Sequence, residues 1–410
     1  MNHSDSAPRW RRRSLLGAAS VAAGGALVGT GTGIGTAPAA ADPVPPDAMP
    51  GEAYDRYIAG LAAQDRFSGV VMLVHRGRTV LSRSYGMADR ERGIRNHEGV
   101  AVNLGSAVKP FVAVAVLQLA QRGHLRLHDV VGDFLDGFPA DVAAQVTIHH
   151  LLTDTSGLSH PEQDLQRVFH SREEVHAHYE QWSRQVSLVG VPGTDSGTSG
   201  ACLAIAAQIV EAVTGVTYWD YVTEHVFDRC GMTGTGFFTR PEWLSDPHIA
   251  HSYMIQHDGT RVDAVRNLDK GGVNPFEPGK NPGRNFIDHA GDGGFATAPD
   301  LVRFARALGE GTVLDQPYAD LLTGAKMPQN SGKHGGPPPA HPAFKGYTVP
   351  VKILQGQWVT GRGGVNPGST ANWNLYQGSG WIGVLLSNYD NLPVQEILDR
   401  ERLAVLGPAD

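Results

Sequence analysis

Cysteine is almost missing from this 410-residue chain, which holds only Cys202 and Cys230. Two thiols allow one bridge at most, so a disulfide-stapled scaffold is excluded. Whether they pair, or pack as two small apolar groups, the sequence leaves open. Charge is also sparse: charged residues make up 18% of the chain, and the formal net charge is -7 with no long run of either sign. A nucleic-acid groove and a polybasic membrane patch are therefore not expected. Neither paired cysteines nor a His-x-x-x-His spacing accompanies the motifs described below, so no metal site is expected. No internal repeat is visible. What the chain has in plenty is glycine (51) and proline (26), the mark of many turns and long loops. Its hydrophobic share of 41% is that of a globular protein long enough to bury a sizeable core.

The first forty residues read as an address. Arg9, Arg11, Arg12 and Arg13 precede an uncharged stretch from Leu15 to about Ile34, diluted by Gly and Thr. Ala39-Ala40-Ala41 before Asp42 supplies an Ala-x-Ala cleavage pattern. Arg12-Arg13-Ser14-Leu15-Leu16 reads as a twin-arginine signal. The stretch is weaker than the roughly 20 strongly apolar residues of a spanning helix. The expectation is a signal peptide over 1–41, a linker over 42–52 and one domain over 53–410. The mature protein is then extracytoplasmic, with no stable membrane span after cleavage.

Periodicity predicts a helix over Ala53–Gln64 and a hairpin of strands Gly69–His75 and Thr79–Tyr85 around Arg76-Gly77-Arg78. Ala107 to Gln121 is apolar almost all round, the pattern of a buried helix. Further helices are expected at Ala201–Thr214, ended by Gly215, and at Leu301–Leu308, after the cap-like Thr297. Late strands are expected at Gln357–Gly361, Asn372–Tyr376 and Trp381–Ser387, then a helix from Pro393 to Leu406. Strands at both ends and helices between predict an α/β (α+β) fold. One antiparallel sheet is built from both termini and flanked by helices, with a mostly helical subdomain inserted at about 124–290.

Gly105-Ser106-Ala107-Val108-Lys109 stands where a loop enters the buried helix. Residues three apart share a helix face, so Ser106 and Lys109 can touch. Burial disfavours a charged lysine, a neutral amine can take a serine proton, and a helix N-terminus offers N–H groups to an oxyanion. The spacing alone is common. The enclosing apolar helix is what singles it out.

This stretch resembles the first motif of the serine β-lactamase and penicillin-binding-protein superfamily, in its class C β-lactamase, DD-peptidase and esterase branch. Val146 to Leu158 is similar to that branch's "T-I-x-x-L-L-T-H-T-S-G-L" run, with Asp154 in the place of its histidine. Pro192-Gly193-Thr194, Val210 to Gly215, Phe227 to Met232, Gly293 to Leu301, Gly361 to Gly364 and Leu386-Ser387-Asn388 follow in the branch's order. The resemblance spans roughly residues 65 to 390. It implies the fold above, Ser106 as nucleophile, Lys109 as base and an oxyanion hole from the backbone N–H groups of Ser106 and Val365.

Two motifs depart from that pattern. The second, Tyr-x-Asn in the family, falls on Thr198-Ser199-Gly200, so both its side chains are replaced. The third, Lys-Thr-Gly or His-Gly-Gly, is here Arg362-Gly363-Gly364. Arg362 keeps a positive charge, cannot trade protons and suits a carboxylate. Thr198, Gly200, Gly363 and Gly364 are the remaining expected substrate contacts. His334-Gly335-Gly336, followed by three prolines, reads as a decoy.

His289 and His160 are candidates to replace the lost tyrosine, set against the 18 histidines of the chain. Trp182, Trp243 and above all Trp373 are candidate pocket walls, with core packing the commoner role for each. His149-His150 reads as helix capping or packing. The expected activity is hydrolysis of a small ester, amide or peptide-like substrate, with or without a carboxylate, through an acyl-serine intermediate and without a cofactor. Two alternatives stand beside it: an acyltransferase or cyclase passing the acyl group to an amine or alcohol, and a non-catalytic ligand-binding protein on the same fold.

Overall fold

The computed structural model describes residues 43–195, 199–273, 277–287, 289–329 and 340–408. The twin-arginine segment, Thr198 and His334-Gly335-Gly336 lie outside the described residues.

The segment expected as a linker is ordered where it is described. Pro46–Ala48 winds one 3₁₀ turn and Ala48 is fully buried. Helix α1 (Ala53–Ala63) follows. Strands β1 (Gly69–His75) and β2 (Arg78–Tyr85) form the expected hairpin. Arg76 and Gly77 turn it with φ of 47° and 80°, the left-handed pair of a tight hairpin whose twist matches the strands.

Every residue of β1 is buried, because it feeds two cores at once. Val70, Met72 and Val74 point into the main core, while Val71 and Leu73 point into a smaller one. Such a strand reads as an unbroken apolar run rather than an alternation.

The predicted Ala107–Gln121 helix is split. Gly105–Val108 is a 3₁₀ turn, and helix α2 starts at Pro110 and runs to Gln121. Its buried residues cover almost the whole circumference, with Phe111 edge-on to Phe227 and Phe304. Gln118 is tolerated there because its amide donates to the His225 and Val313 carbonyls.

Helices α3 (Arg172–Ser183) and α4 (Ala201–Thr214) pack in the middle segment. Gly215 ends α4 in left-handed backbone, as its position predicts. Helix α5 (Ala298–Gly309) is capped by the Thr297 hydroxyl, which accepts the Asp300 N–H. The middle segment is mostly helical but holds a small hairpin, Tyr253–Ile255 with Arg261–Asp263. It shares one contiguous core with the sheet.

Three short strands complete one edge of the sheet: β3 (Met327–Pro328), β4 (Ala343–Lys345) and β5 (Pro350–Leu354). Then come β6 (Gln357–Asn366), β7 (Ser369–Tyr376) and β8 (Trp381–Ser387), and helix α6 (Val394–Leu406). Pro393 sits one residue earlier than expected, at the N-cap of α6. The eight strands run antiparallel in the order β2-β1-β8-β7-β6-β5-β4-β3, so strands from both ends of the chain meet at β1 and β8. α1 and α6 cover one face, through Tyr54, Ile58, Leu61, Ile397 and Val405. α5 covers the other, and α2 packs against α5 through Phe111 and Phe304. Among the described residues no single helix is long and apolar enough to cross a membrane.

Strand β6 runs well past the predicted end at Gly361. Arg362-Gly363-Gly364 is therefore mid-strand, not a loop, and its register pairs Arg362 with Trp373 and Gly364 with Ala371.

Candidate active site

Asn103 ends the short strand Val102–Asn103, which pairs with Phe295–Ala296. Its Oδ1 accepts the Gly105 N–H at 3.2 Å. Gly105 bends the chain at a φ of 49°, where a side chain is disfavoured. The 3₁₀ turn is closed by the Lys109 N–H donating to the Ser106 carbonyl at 3.2 Å. Side chains three apart eclipse in a 3₁₀ turn, so Ser106 and Lys109 project from the same edge. Both are half-buried, and Lys109 is thus less enclosed than the apolar sequence after it suggests.

Strand β6 lies directly against this turn. A β-carbon on Gly364 would sit 2.0 Å from the Leu104 oxygen and 2.6 Å from the Ser106 nitrogen. A β-carbon on Gly105 would sit 3.0 Å from the Val365 nitrogen. The amides of Ser106 and Val365 thus belong to the two sides of one backbone contact. β5 pairs with β6 only as far as Val351 with Thr360. From Gly361 to Asn366 that edge of β6 has no strand partner among the described residues.

A polar chain supports the turn from behind. Asn366 Nδ2 donates to Asn103 Oδ1 at 3.0 Å and to Asp292 Oδ1 at 2.8 Å. Lys280 pairs with Asp292 at 2.8 Å and with Glu277 at 3.0 Å. Burial alone would push the Asp292 carboxyl up, but the Lys280 ammonium and the hydrogen bonds outweigh it and hold the carboxyl below its ordinary value. None of these four supports, Asn103, Asn366, Asp292 and Lys280, is singled out by the sequence. Asp292 stands inside Gly291-Asp292-Gly293-Gly294, the one available pointer.

The described part of the second-motif segment is Ser199 and Gly200. Ser199 is buried and its hydroxyl donates to the Ser159 carbonyl at 2.8 Å. The Gly200 N–H donates to His160 Nδ1 at 3.1 Å. Two residues on, the buried Cys202 thiol meets the Ser156 hydroxyl at 3.0 Å. Burial, with help from the Asp154 carboxylate, pushes that thiol up to about 12, while Ser156 and the Lys109 ammonium pull it back. Cys202 is therefore a protonated, inert neighbour of Lys109. Both cysteines are free.

Asp154 ends the helix Ile148–Thr153 in left-handed backbone at a φ of 60°, a conformation a short polar side chain tolerates. Its carboxylate also acts electrostatically on Arg362. Burial pulls the Arg362 guanidinium down to about 10, and Asp154 works against that pull. Arg362 lies on the face of β6 that carries Gly364, and its Nη1 donates to the Thr348 carbonyl at 2.9 Å. One edge of the guanidinium is thus committed to the fold.

His160 and His289 both pack against Trp182. His160 stands edge-on to Trp182 with ring centroids 5.6 Å apart, and His289 stacks on Trp182 at 5.8 Å. Trp182 is buried, with its indole N–H shared between the Pro161 and Glu162 carbonyls. Trp373 is not a pocket wall: it is fully buried against Phe304 of α5, because the strand face it shares with Arg362 is covered there by that helix. Trp243 is likewise core, against Phe295. His150 caps its own helix, its Nδ1 accepting the Thr147 N–H while its N–H meets the Thr147 hydroxyl. His149 binds the Tyr347 hydroxyl at 2.8 Å.

Residues 54–407 match the family model described as Beta-lactamase. A putative penicillin-binding protein of Bacillus subtilis, PbpX, is 28% identical over 277 residues, covering 66% of this chain and 61% of its own length. Esterase EstB of Burkholderia gladioli is 30% identical over 267 residues, covering 59% of this chain and 66% of its own length. The chain thus spans under two thirds of the length of either relative. The crystal structure of a penicillin-binding protein from Bacillus halodurans superposes with a TM-score of 0.69 at 24% identity, covering 84% of this chain and 98% of that one. The eight-stranded sheet, the Ser106–Lys109 turn beneath β6 and the match over 54–407 agree, and the chain belongs to the beta-lactamase family.

Proposed function

We propose that the protein is an exported serine hydrolase that cleaves small esters, amides or peptide-like molecules through an acyl intermediate on Ser106. The observation that carries this reading is the 3₁₀ turn, which eclipses Ser106 and Lys109 beneath the glycine strand β6. In its neutral form the Lys109 amine takes the Ser106 hydroxyl proton as Oγ attacks the substrate carbonyl. The N–H groups of Ser106 and Val365 hold the oxyanion. Collapse of the tetrahedral intermediate expels the leaving group, which takes the proton from Lys109. Water then attacks the acyl-serine, Lys109 accepts its proton and returns one to Ser106. Thr198 and Gly200 carry neither a phenol nor an amide, so Lys109 serves both half-reactions. Arg362 supplies positive charge for an anionic or polar part of the substrate, and Gly363 and Gly364 leave the β6 edge open to it. The penicillin-binding and esterase names of the two relatives support this substrate range. The Arg12-Arg13 leader supports export by the twin-arginine route.

The test is intact mass of the purified mature chain after treatment with a fluorophosphonate and, separately, a fluorescent penicillin. A fluorophosphonate adduct absent from Ser106→Ala, and formed about 10²–10⁴-fold more slowly in Lys109→Ala, is the expected result. An unlabelled wild-type protein overturns the reading, and so does labelling that survives Ser106→Ala.

A further inference from the structure

A cavity of about 810 Å³ opens where four stretches of the chain converge, and no step proposed for Ser106 uses it. Asp65 and Arg66 reach it from the turn after α1, Arg90 from the turn after Met87–Asp89, and Arg261 from the strand Arg261–Asp263. Leu392 and Pro393 come from the link between β8 and α6. A cavity of this size suits a small molecule. Three of its lining side chains, Arg66, Arg90 and Arg261, are arginines, on a chain whose net charge is -7.

The three arginines are held differently. Arg261 is committed to the fold: its Nη1 donates to Asp390 Oδ1 at 3.1 Å and to the Tyr253 carbonyl at 3.2 Å, and its guanidinium lies over the Tyr389 ring at 3.9 Å. Arg90 is clamped between two rings, its guanidinium carbon 5.0 Å from the centre of Tyr253 and 5.1 Å from that of Tyr389. Its side-chain hydrogen bonds, to Asp65 and to the Tyr389 hydroxyl, all leave from Nη2. That hydroxyl donates onward to Asp65 Oδ1 at 2.8 Å. Nε and Nη1 of Arg90 have no hydrogen-bond partner among the described residues, and the side chain is 39% exposed. Arg66 is exposed and makes no ion pair among the described residues.

The charges do not cancel. Asp390 offsets Arg261 and Asp65 offsets Arg90, but nothing offsets Arg66. Asp65, bonded to Arg90, sets Arg66 one residue away along the same turn. An anion there meets one uncompensated charge and the donor edge of a second guanidinium. The two rings already hold that guanidinium, so little side-chain freedom is lost on binding. One arginine fork satisfies the two oxygens of a carboxylate, whereas two forks suit the larger oxygen set of a phosphate. Ile255, Leu392 and Pro393, all half-buried, line the same cavity and offer apolar surface to an organic group.

We propose that this cavity is a binding site for an organic phosphate, with the phosphate on Arg66 and Arg90 and the organic part against Ile255, Leu392 and Pro393. The site is separate from Ser106, and its occupation does not depend on whether Ser106 reacts.

Titration calorimetry of the mature chain in phosphate-free buffer tests this with three probes: glycerol 3-phosphate, the diester glycerophosphoglycerol, and glycerate as the carboxylate control. At least one of the two phosphates is expected to bind, and to bind more tightly than glycerate. Arg66→Ala should raise its Kd about tenfold or more, the scale of one lost charge-assisted hydrogen bond. Arg90→Lys, which keeps the charge but not the fork, should raise it as well. Arg362→Ala, the cation of the candidate active site, should leave it unchanged. Tighter binding of the monoester points to a free polyol or sugar phosphate, and tighter binding of the diester to a phosphodiester chain; either supports the site. No binding of either phosphate at millimolar concentration overturns the proposal, and so does glycerate binding as tightly as both. Binding that survives Arg66→Ala unchanged, or that only Arg362→Ala weakens, overturns it too. Arg66 is exposed and unpaired, so its variant decides the matter even where Arg90→Lys fails to fold.

Discussion

Gly364 and Ser106 touch through their backbones: a β-carbon on the glycine would come within 2.6 Å of the serine nitrogen. Strand and turn are therefore one rigid unit. Neither the oxygen of Leu104 nor the amides of Ser106 and Ala107 can swing aside as a flexible side chain would.

Gly364→Ala should therefore disable the site and destabilise the fold. The expected loss is about 1–3 kcal/mol for an overpacked contact, together with most of the fluorophosphonate labelling at Ser106. Thermal melting and intact mass read the two effects. A variant that melts and labels like the wild type would separate the strand from the turn.

Asp292→Asn takes one carboxylate from Lys280, which keeps Glu277, and loosens Asn366, the prop of Asn103. Breaking such a pair costs about 3 kcal/mol. The Asp292 carboxyl sits below its ordinary value in the folded chain. Its stabilisation is then present above the ordinary aspartate range and is lost as pH falls through the depressed value. The gap in melting temperature between wild type and variant should be wide at pH 7 and narrow in acid.

Glu401 behaves in the opposite sense. It is fully buried on α6, accepting from Asn374 at 2.8 Å and from the Tyr376 hydroxyl at 2.9 Å, and burial raises its carboxyl. A raised value favours the folded state while the group is protonated, and that contribution is lost as pH rises through it. Glu401→Gln should therefore stabilise the protein above that value, by about 1–3 kcal/mol, and much less in acid. Melting curves across pH test the sign directly.

Arg362→Ala should raise KM for anionic esters about tenfold more than for neutral ones, the scale of one charge-assisted hydrogen bond. With the guanidinium pulled down to about 10 by burial, the preference for anions should hold across neutral pH. It should fade only as pH climbs towards that value and the charge is lost. Equal effects on both ester classes would remove Arg362 from substrate binding.

The elements that announce themselves by composition were legible in the sequence. β1 and β8 are unbroken apolar runs, and α4 ends where Gly215 says it should. β6 extends beyond its expected end because Gly361, Gly363 and Gly364 look like a turn. They are extended residues that need close approach: a β-carbon on Gly361 would meet the Trp373 oxygen at 2.0 Å. The edge strands β3 to β5 escaped notice because Pro328, Lys345, Pro350 and Lys352 guard them, as edges are commonly guarded. Ser106, Lys109 and Arg362 lie in local motifs and were visible. Asn103 and Asn366 are 263 residues apart, and Asn366 and Asp292 are 74 apart. No window of sequence contains such pairs. Trp373 reads as a pocket wall because its strand follows Arg362, and nothing in that local stretch announces the helix that covers it.

β1 is sandwiched between β2, its immediate neighbour in sequence, and β8, which is synthesised long after it. During synthesis the Gly69–His75 edge must wait, apolar and unpaired, until Trp381–Ser387 arrives. Pairings of this range slow folding. Premature termination anywhere before Trp381 would leave that edge of β1 bare, far along the chain from the serine at which its chemistry is proposed to occur.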